Sequence, residues 1–255
     1  MDLEKFKVFL KQKFIIINYP SGCFGGFLGS VLQLSDDVVE PNAVEHVFDE
    51  TGASHKNTMR SFTKFHNLND LNAWVNLNYQ DKLKYLYDNC LVKTIKDKRY
   101  IVLLMCCPNY NLDLIDFFDE DKIITIKPNT NHYDILENLI FFKVIGTETT
   151  NSFLEKFSKL KNYKSIIIEK HKQEVKRIIA KQSVKFFIDD VNYNQKHLYN
   201  FELFFDEITF IQMLQAVQKQ LSIAIDYSKS INLYREFKKA NEKYIEPYLA
   251  TKLHV

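Results

Sequence analysis

The groups that could do chemistry concentrate near the start of the chain. Tyr19-Pro20-Ser21-Gly22-Cys23-Phe24-Gly25-Gly26-Phe27-Leu28-Gly29 holds four of the protein's six glycines. It follows the apolar run Phe14-Ile15-Ile16-Ile17 and leads into a helical pattern. A buried strand, a glycine-rich turn and a helix start together aim backbone N–H groups at one point. An anion there is stabilised by those donors and by the positive end of the helix dipole. The spacing predicts a phosphate-binding loop with N–H groups from Gly22, Cys23, Phe24, Gly25, Gly26 and Phe27, and the Ser21 hydroxyl beside them. A Walker A loop would carry Gly-Lys-Ser/Thr where this chain has Gly25, Gly26 and Phe27. The phosphate-reaching lysine and the magnesium-binding hydroxyl are both missing, which argues against ATP or GTP hydrolysis. The spacing does not fit the dinucleotide-binding GxGxxG either. Cys23 occupies a position that can lower a thiol pKa; its simpler role is to fill space.

Two histidines sit in polar surroundings that suit a general base, because an imidazole titrates near neutral pH. His55 lies in Gly52-Ala53-Ser54-His55-Lys56, and His66 in Thr63-Lys64-Phe65-His66-Asn67. The cysteines, Cys23, Cys90, Cys106 and Cys107, form neither a CxxC pair nor a Cys/His zinc spacing. They read as free thiols in a reducing compartment, and no metal is expected.

These groups need a scaffold, and the chain supplies one by alternating short apolar runs with helical periods. Strands are expected at 14–18, 100–107, 122–127, 184–188 and 199–205. Helices are expected at 2–12, 26–34, 80–93, 133–146, 150–161, 165–182, 207–221 and 231–243. Strands separated by helices predict βαβ units and a parallel sheet, in one domain over residues 1–255. Lys+Arg is 34 against Asp+Glu 32, with only Arg60, Arg99, Arg177 and Arg235 among the arginines. Such a balance offers no field for nucleic acid and few guanidinium forks to read it. No run approaches the roughly 18 apolar residues of a membrane span. The charged, amphipathic start gives no signal-peptide pattern, so a cytoplasmic protein is expected. Its oligomeric state is left open.

Several of these pieces follow one another in the order of a known family. Tyr19-Pro20-Ser21-Gly22, then Phe27-Leu28 opening a helix, resembles the Tyr-Pro-Lys-Ser-Gly-Thr-Thr-Trp loop of sulfotransferases. Thr63-Lys64-Phe65-His66 is similar to the Lys-Thr-His segment that supplies the family's catalytic base. Lys122-Ile123-Ile124-Thr125-Ile126-Lys127, then Asp134 and Asn138, is similar to the strand and helix near which the 3′-phosphate binds. Phe201-Glu202-Leu203-Phe204-Phe205-Asp206 and Tyr234-Arg235-Glu236-Phe237-Lys238-Lys239-Ala240-Asn241 resemble the C-terminal run of bacterial and phage members.

The resemblance implies a three-layer α/β/α P-loop-type domain with a central parallel sheet. It implies 3′-phosphoadenosine 5′-phosphosulfate as co-substrate and a hydroxyl acceptor, a glycan among the possibilities. His66 is the first choice of base and His55 the second. Lys127, Thr130 and Asn131 stand nearest in chemistry to the Arg and Ser that grip the 3′-phosphate. The family's loop lysine has no counterpart in Ser21-Gly22-Cys23, and Lys64 is the available substitute. Two alternatives stay open: a degenerate P-loop protein that binds a nucleotide or partner without catalysis, and a P-loop small-molecule kinase.

Overall fold

The strand that precedes the glycine loop lies at the centre of the sheet. In the computed structural model, residues 2–19, 23–39, 76–89, 99–106, 115–127 and 196–252 are described. Helix α1 (Leu3–Lys13) starts at Asp2, whose carboxylate accepts from the Lys5 N–H at 2.8 Å. It buries Phe6 and Leu10, one turn apart. The helix stops where the β-branched run begins, and Phe14 is already extended. Strand β1 (Phe14–Tyr19) follows at once, with its first five residues buried. A strand buried on both faces needs such a continuous apolar run.

β1 pairs in parallel with β2 (Ile101–Cys106) on one side and β3 (Ile123–Lys127) on the other. β4 (Leu198–Asn200) pairs in parallel with β3, giving the order β2-β1-β3-β4. The described chain is thus of the α/β class, with an all-parallel four-stranded sheet.

Alternate strand residues feed two separate cores. Ile15, Ile17, Val102, Ile124 and Ile126 face a cluster shared with helices α2 (Gly25–Leu32), α4 (Glu207–Leu221) and α5 (Tyr227–Lys252). Phe14, Ile16, Ile101, Leu103 and Ile123 face the other, with Phe6 and Leu10 of α1 and Leu83 and Leu86 of α3 (Tyr79–Asn89). Phe117 and Phe118, just ahead of β3, join this second cluster. α2 leaves β1 on the first side, and the segment entering β3 arrives on the second.

The expected strand over 199–205 is shorter in the structure. β4 ends at Asn200, and Phe201–Phe204 forms a 3₁₀ turn. The reason is spacing: Phe201, Phe204 and Phe205 are all buried in one cluster, a three-to-four-residue period that a strand's alternation would split. Asp206 then caps α4, accepting from the N–H groups of Ile208 at 2.9 Å and Thr209 at 3.3 Å. Arg235 of α5 grips Glu207 through two hydrogen bonds of 3.1 Å, and this guanidinium holds the Glu207 carboxyl below its ordinary range. α5 is also longer than the expected 231–243. The helices expected at 133–146, 150–161 and 165–182 and the strand at 184–188 lie outside the described residues. Among those described, no helix is long and apolar enough to cross a membrane.

Tyr234 is fully buried, its ring stacked on Phe210 with centroids 4.6 Å apart. Its hydroxyl has no hydrogen-bond partner among the described residues, and burial, then Asp206 and Glu207, push its pKa well up. An unpaired buried hydroxyl is a net cost, whereas the ring alone keeps all the packing. Tyr234→Phe is therefore expected to stabilise the fold by about 1 kcal/mol. A thermal midpoint below that of the wild type would contradict the assignment.

Candidate functional site

The glycine loop joins the carboxyl end of β1 to α2. Phe24 is the N-cap of α2 with φ 59° and ψ 17°, in the left-handed region, one of two non-glycine residues with positive φ among the described residues. Leu28 N–H donates to the Phe24 carbonyl at 3.1 Å, closing the first turn. The earlier N–H groups of a helix have no intrahelical acceptor, and phenylalanine brings no oxygen to cap them. Gly25 is needed for a different reason. A Cβ built there would lie 2.1 Å from Cδ1 and 2.2 Å from Cγ of Tyr19, whose ring rests on the glycine backbone. A Cβ on Gly29 would come within 2.8 Å of Leu104 Cδ2, so this glycine lets α2 lie close against β2.

The described side chains of the loop face the core. Cys23 is fully buried, which fits the space-filling role. Phe24 packs edge-on against Phe237 at 5.0 Å, and Phe27 stacks on Phe237 at 4.0 Å. Gly26 is half-buried. Cys23, Phe24, Gly25, Gly26 and Phe27 carry no charged side chain, so a role toward an anion would fall to backbone N–H groups. The first turn of α2 brings no basic side chain of its own.

Lys127 closes β3 at the same carboxyl edge of the sheet, one strand from β1, and pairs in register with Asn200. Ser21, Gly22, His55, Lys64, His66, Thr130 and Asn131 lie outside the described residues. An exposed charge cluster marks the opposite edge, where β3 and β4 begin. Asp121 there accepts from Lys196 and approaches His197, and these partners, Lys196 foremost, hold its carboxyl low.

Two polar residues at the carboxyl edge escaped the sequence reading. Asn18 of β1 and Thr125 of β3 are partners in register, each only 1% exposed. Neither the Asn18 Oδ1 nor the Thr125 Oγ1 has a hydrogen-bond partner among the described residues. The available signal was a single polar residue in each of two isoleucine-rich runs, Ile15-Ile16-Ile17-Asn18 and Ile123-Ile124-Thr125-Ile126.

Compared with known proteins, the chain matches no family model, no curated protein and no solved structure.

Proposed function

We propose that the chain is a sulfotransferase-like protein built as a three-layer α/β/α P-loop-type domain. In this reading it moves a sulfonate from 3′-phosphoadenosine 5′-phosphosulfate to a hydroxyl acceptor, a glycan being one such acceptor. The observation that supports it most is the passage from central strand β1 through a glycine loop into α2. That passage lies at the carboxyl edge of a parallel sheet, where open α/β sheets take their ligands.

The loop N–H groups from Gly22 to Phe27, with Ser21, would hold the 5′-phosphosulfate. Lys127, Thr130 and Asn131 would hold the 3′-phosphate. His66, or His55 in its place, would take the proton from the acceptor hydroxyl as its oxygen bonds to sulfur. The bond from sulfur to the bridging phosphate oxygen breaks, and adenosine 3′,5′-bisphosphate leaves with the electron pair. Lys64 would offset the charge that develops on that oxygen. The scheme requires no metal.

A second reading, nucleotide or partner binding without transfer, is favoured by one observation: no basic side chain stands in the first turn of α2. The kinase reading has less support, because Phe27, where a magnesium-binding hydroxyl would be needed, is buried among aromatic rings. A thermal-shift panel separates the three. Stabilisation by adenosine 3′,5′-bisphosphate alone favours sulfonate transfer, ATP with magnesium favours the kinase, and no response to either favours a partner-binding role.

A further inference from the structure

We propose that Asn18 and Thr125 form a binding site for an uncharged hydroxyl group of a hydroxyl-bearing ligand, the class that includes sugars and the ribose of nucleotides. The site stands apart from the glycine loop's role, since it rests on different atoms. The sheet order β2-β1-β3-β4 places β1 and β3 where the chain reverses direction across the sheet. Connections on opposite faces diverge at such a reversal, and the crevice at the carboxyl ends of those two strands is where open α/β sheets bind ligands. α2 packs on one face, and Phe117 and Phe118 on the other.

Asn18 and Thr125 sit side by side at that position, the residues of neighbouring strands being about 4.8 Å apart. Both belong to the face of the sheet that carries Phe14, Ile16 and Ile123. On the side of their strands' amino ends that face is apolar, with Phe14, Ile16 and Ile123, while Lys127 and Asn200 follow toward the carboxyl edge. Two desolvated oxygens without partners among the described residues are a standing cost, as expected of groups kept for a ligand.

The chemistry of the pair narrows the ligand. The Asn18 Oδ1 can only accept, and the Thr125 hydroxyl can donate or accept. One ligand hydroxyl satisfies both: it donates its proton to Asn18 Oδ1 and accepts the Thr125 Oγ1–H. A carboxylate has no proton for the Asn18 Oδ1, and an ammonium, though it could donate to both oxygens, would leave the Thr125 O–H without an acceptor. A cation would also be unfavourable there, with Ile16 and Ile123 on the same face and Lys127 two residues along β3.

The test uses the full chain, with isothermal titration of adenosine 3′,5′-bisphosphate, D-glucose, D-galactose and N-acetyl-D-glucosamine against wild type, Asn18→Leu, Thr125→Val and Thr125→Ser. At least one probe is expected to bind wild type. Its affinity should fall about fivefold to tenfold in Thr125→Val and be retained in Thr125→Ser, which keeps the hydroxyl. Loss confined to the bisphosphate assigns the hydroxyl to a ribose; loss confined to a free sugar assigns it to a carbohydrate ligand. Without ligand, Asn18→Leu and Thr125→Val should unfold no earlier than wild type. The proposal is overturned if no probe binds, or if Thr125→Val binds as wild type does. It is also overturned if the ligand-free variants melt earlier, because the pair is then satisfied within the free protein, by a bridging water for example.

Discussion

Phe27→Ala is expected to destabilise the fold by about 3–5 kcal/mol, the largest effect of any single substitution considered. Phe27 is 2% exposed and lies at the meeting point of four elements. Its ring stacks on Phe237 of α5 with centroids 4.0 Å apart and an interplanar angle of 12°. It also meets Phe210 of α4 at 5.5 Å, Phe204 of the 3₁₀ turn at 6.1 Å and Tyr234 at 6.4 Å. Truncation removes the transfer free energy of a whole ring. It also leaves a cavity bounded by stiff aromatic neighbours, which collapse poorly into a void. Total stabilities run to only about 5–15 kcal/mol, so much of the folded population is at risk. Urea unfolding measures the change through the midpoint at constant slope. A loss below about 1 kcal/mol would contradict the central place given to this ring.

Gly25→Ala is the second, and its sign carries the information. In an ordinary exposed helix, exchanging glycine for alanine is favourable by about 1 kcal/mol. Here the new methyl would enter the Tyr19 ring, 2.1–2.5 Å from Cδ1, Cγ and Cε1. Cγ lies one bond from Cβ and cannot swing clear without moving the whole ring. Tyr19 also belongs to the central strand, paired in register with Cys106, so its backbone has little room to give. Overpacking of this kind costs about 1–3 kcal/mol. The double variant Gly25→Ala/Tyr19→Ala should recover part of that loss, and a double-mutant cycle reads the coupling. Additive losses would mean that the ring and the glycine are not in contact.

Much of the fold was legible because the relevant physics is local. The isoleucine run of β1 could be satisfied only by burial on two faces, and the glycine cluster could only be a turn. The amphipathic period over 207–221 announced α4. The order of the strands was not legible. Phe14 pairs with Ile101 far along the chain, and such pairing leaves no trace in either segment. The 3₁₀ turn after β4 was misread because two adjacent phenylalanines satisfy strand and turn patterns alike. Only the shared cluster of Phe201, Phe204 and Phe205 decides between them.

The loop was visible as glycine spacing, while the packing of its side chains was not. Phe24 and Phe27 find their aromatic partners far along the chain, on Phe204 and Phe237. Asn18 and Thr125 were invisible as a pair for the same reason: their proximity is created by the β1–β3 register.

The most direct test of the account is calorimetric titration of adenosine 3′,5′-bisphosphate into wild type and Gly26→Asp. Gly26 is half-buried in the first turn of α2. A carboxylate there suits the helix dipole and leaves the fold intact, while it repels an anion at the loop. The account predicts binding to wild type and its loss in a Gly26→Asp protein that melts at an unchanged or higher temperature. Absence of binding to wild type at millimolar ligand, or undiminished binding to the variant, would contradict it.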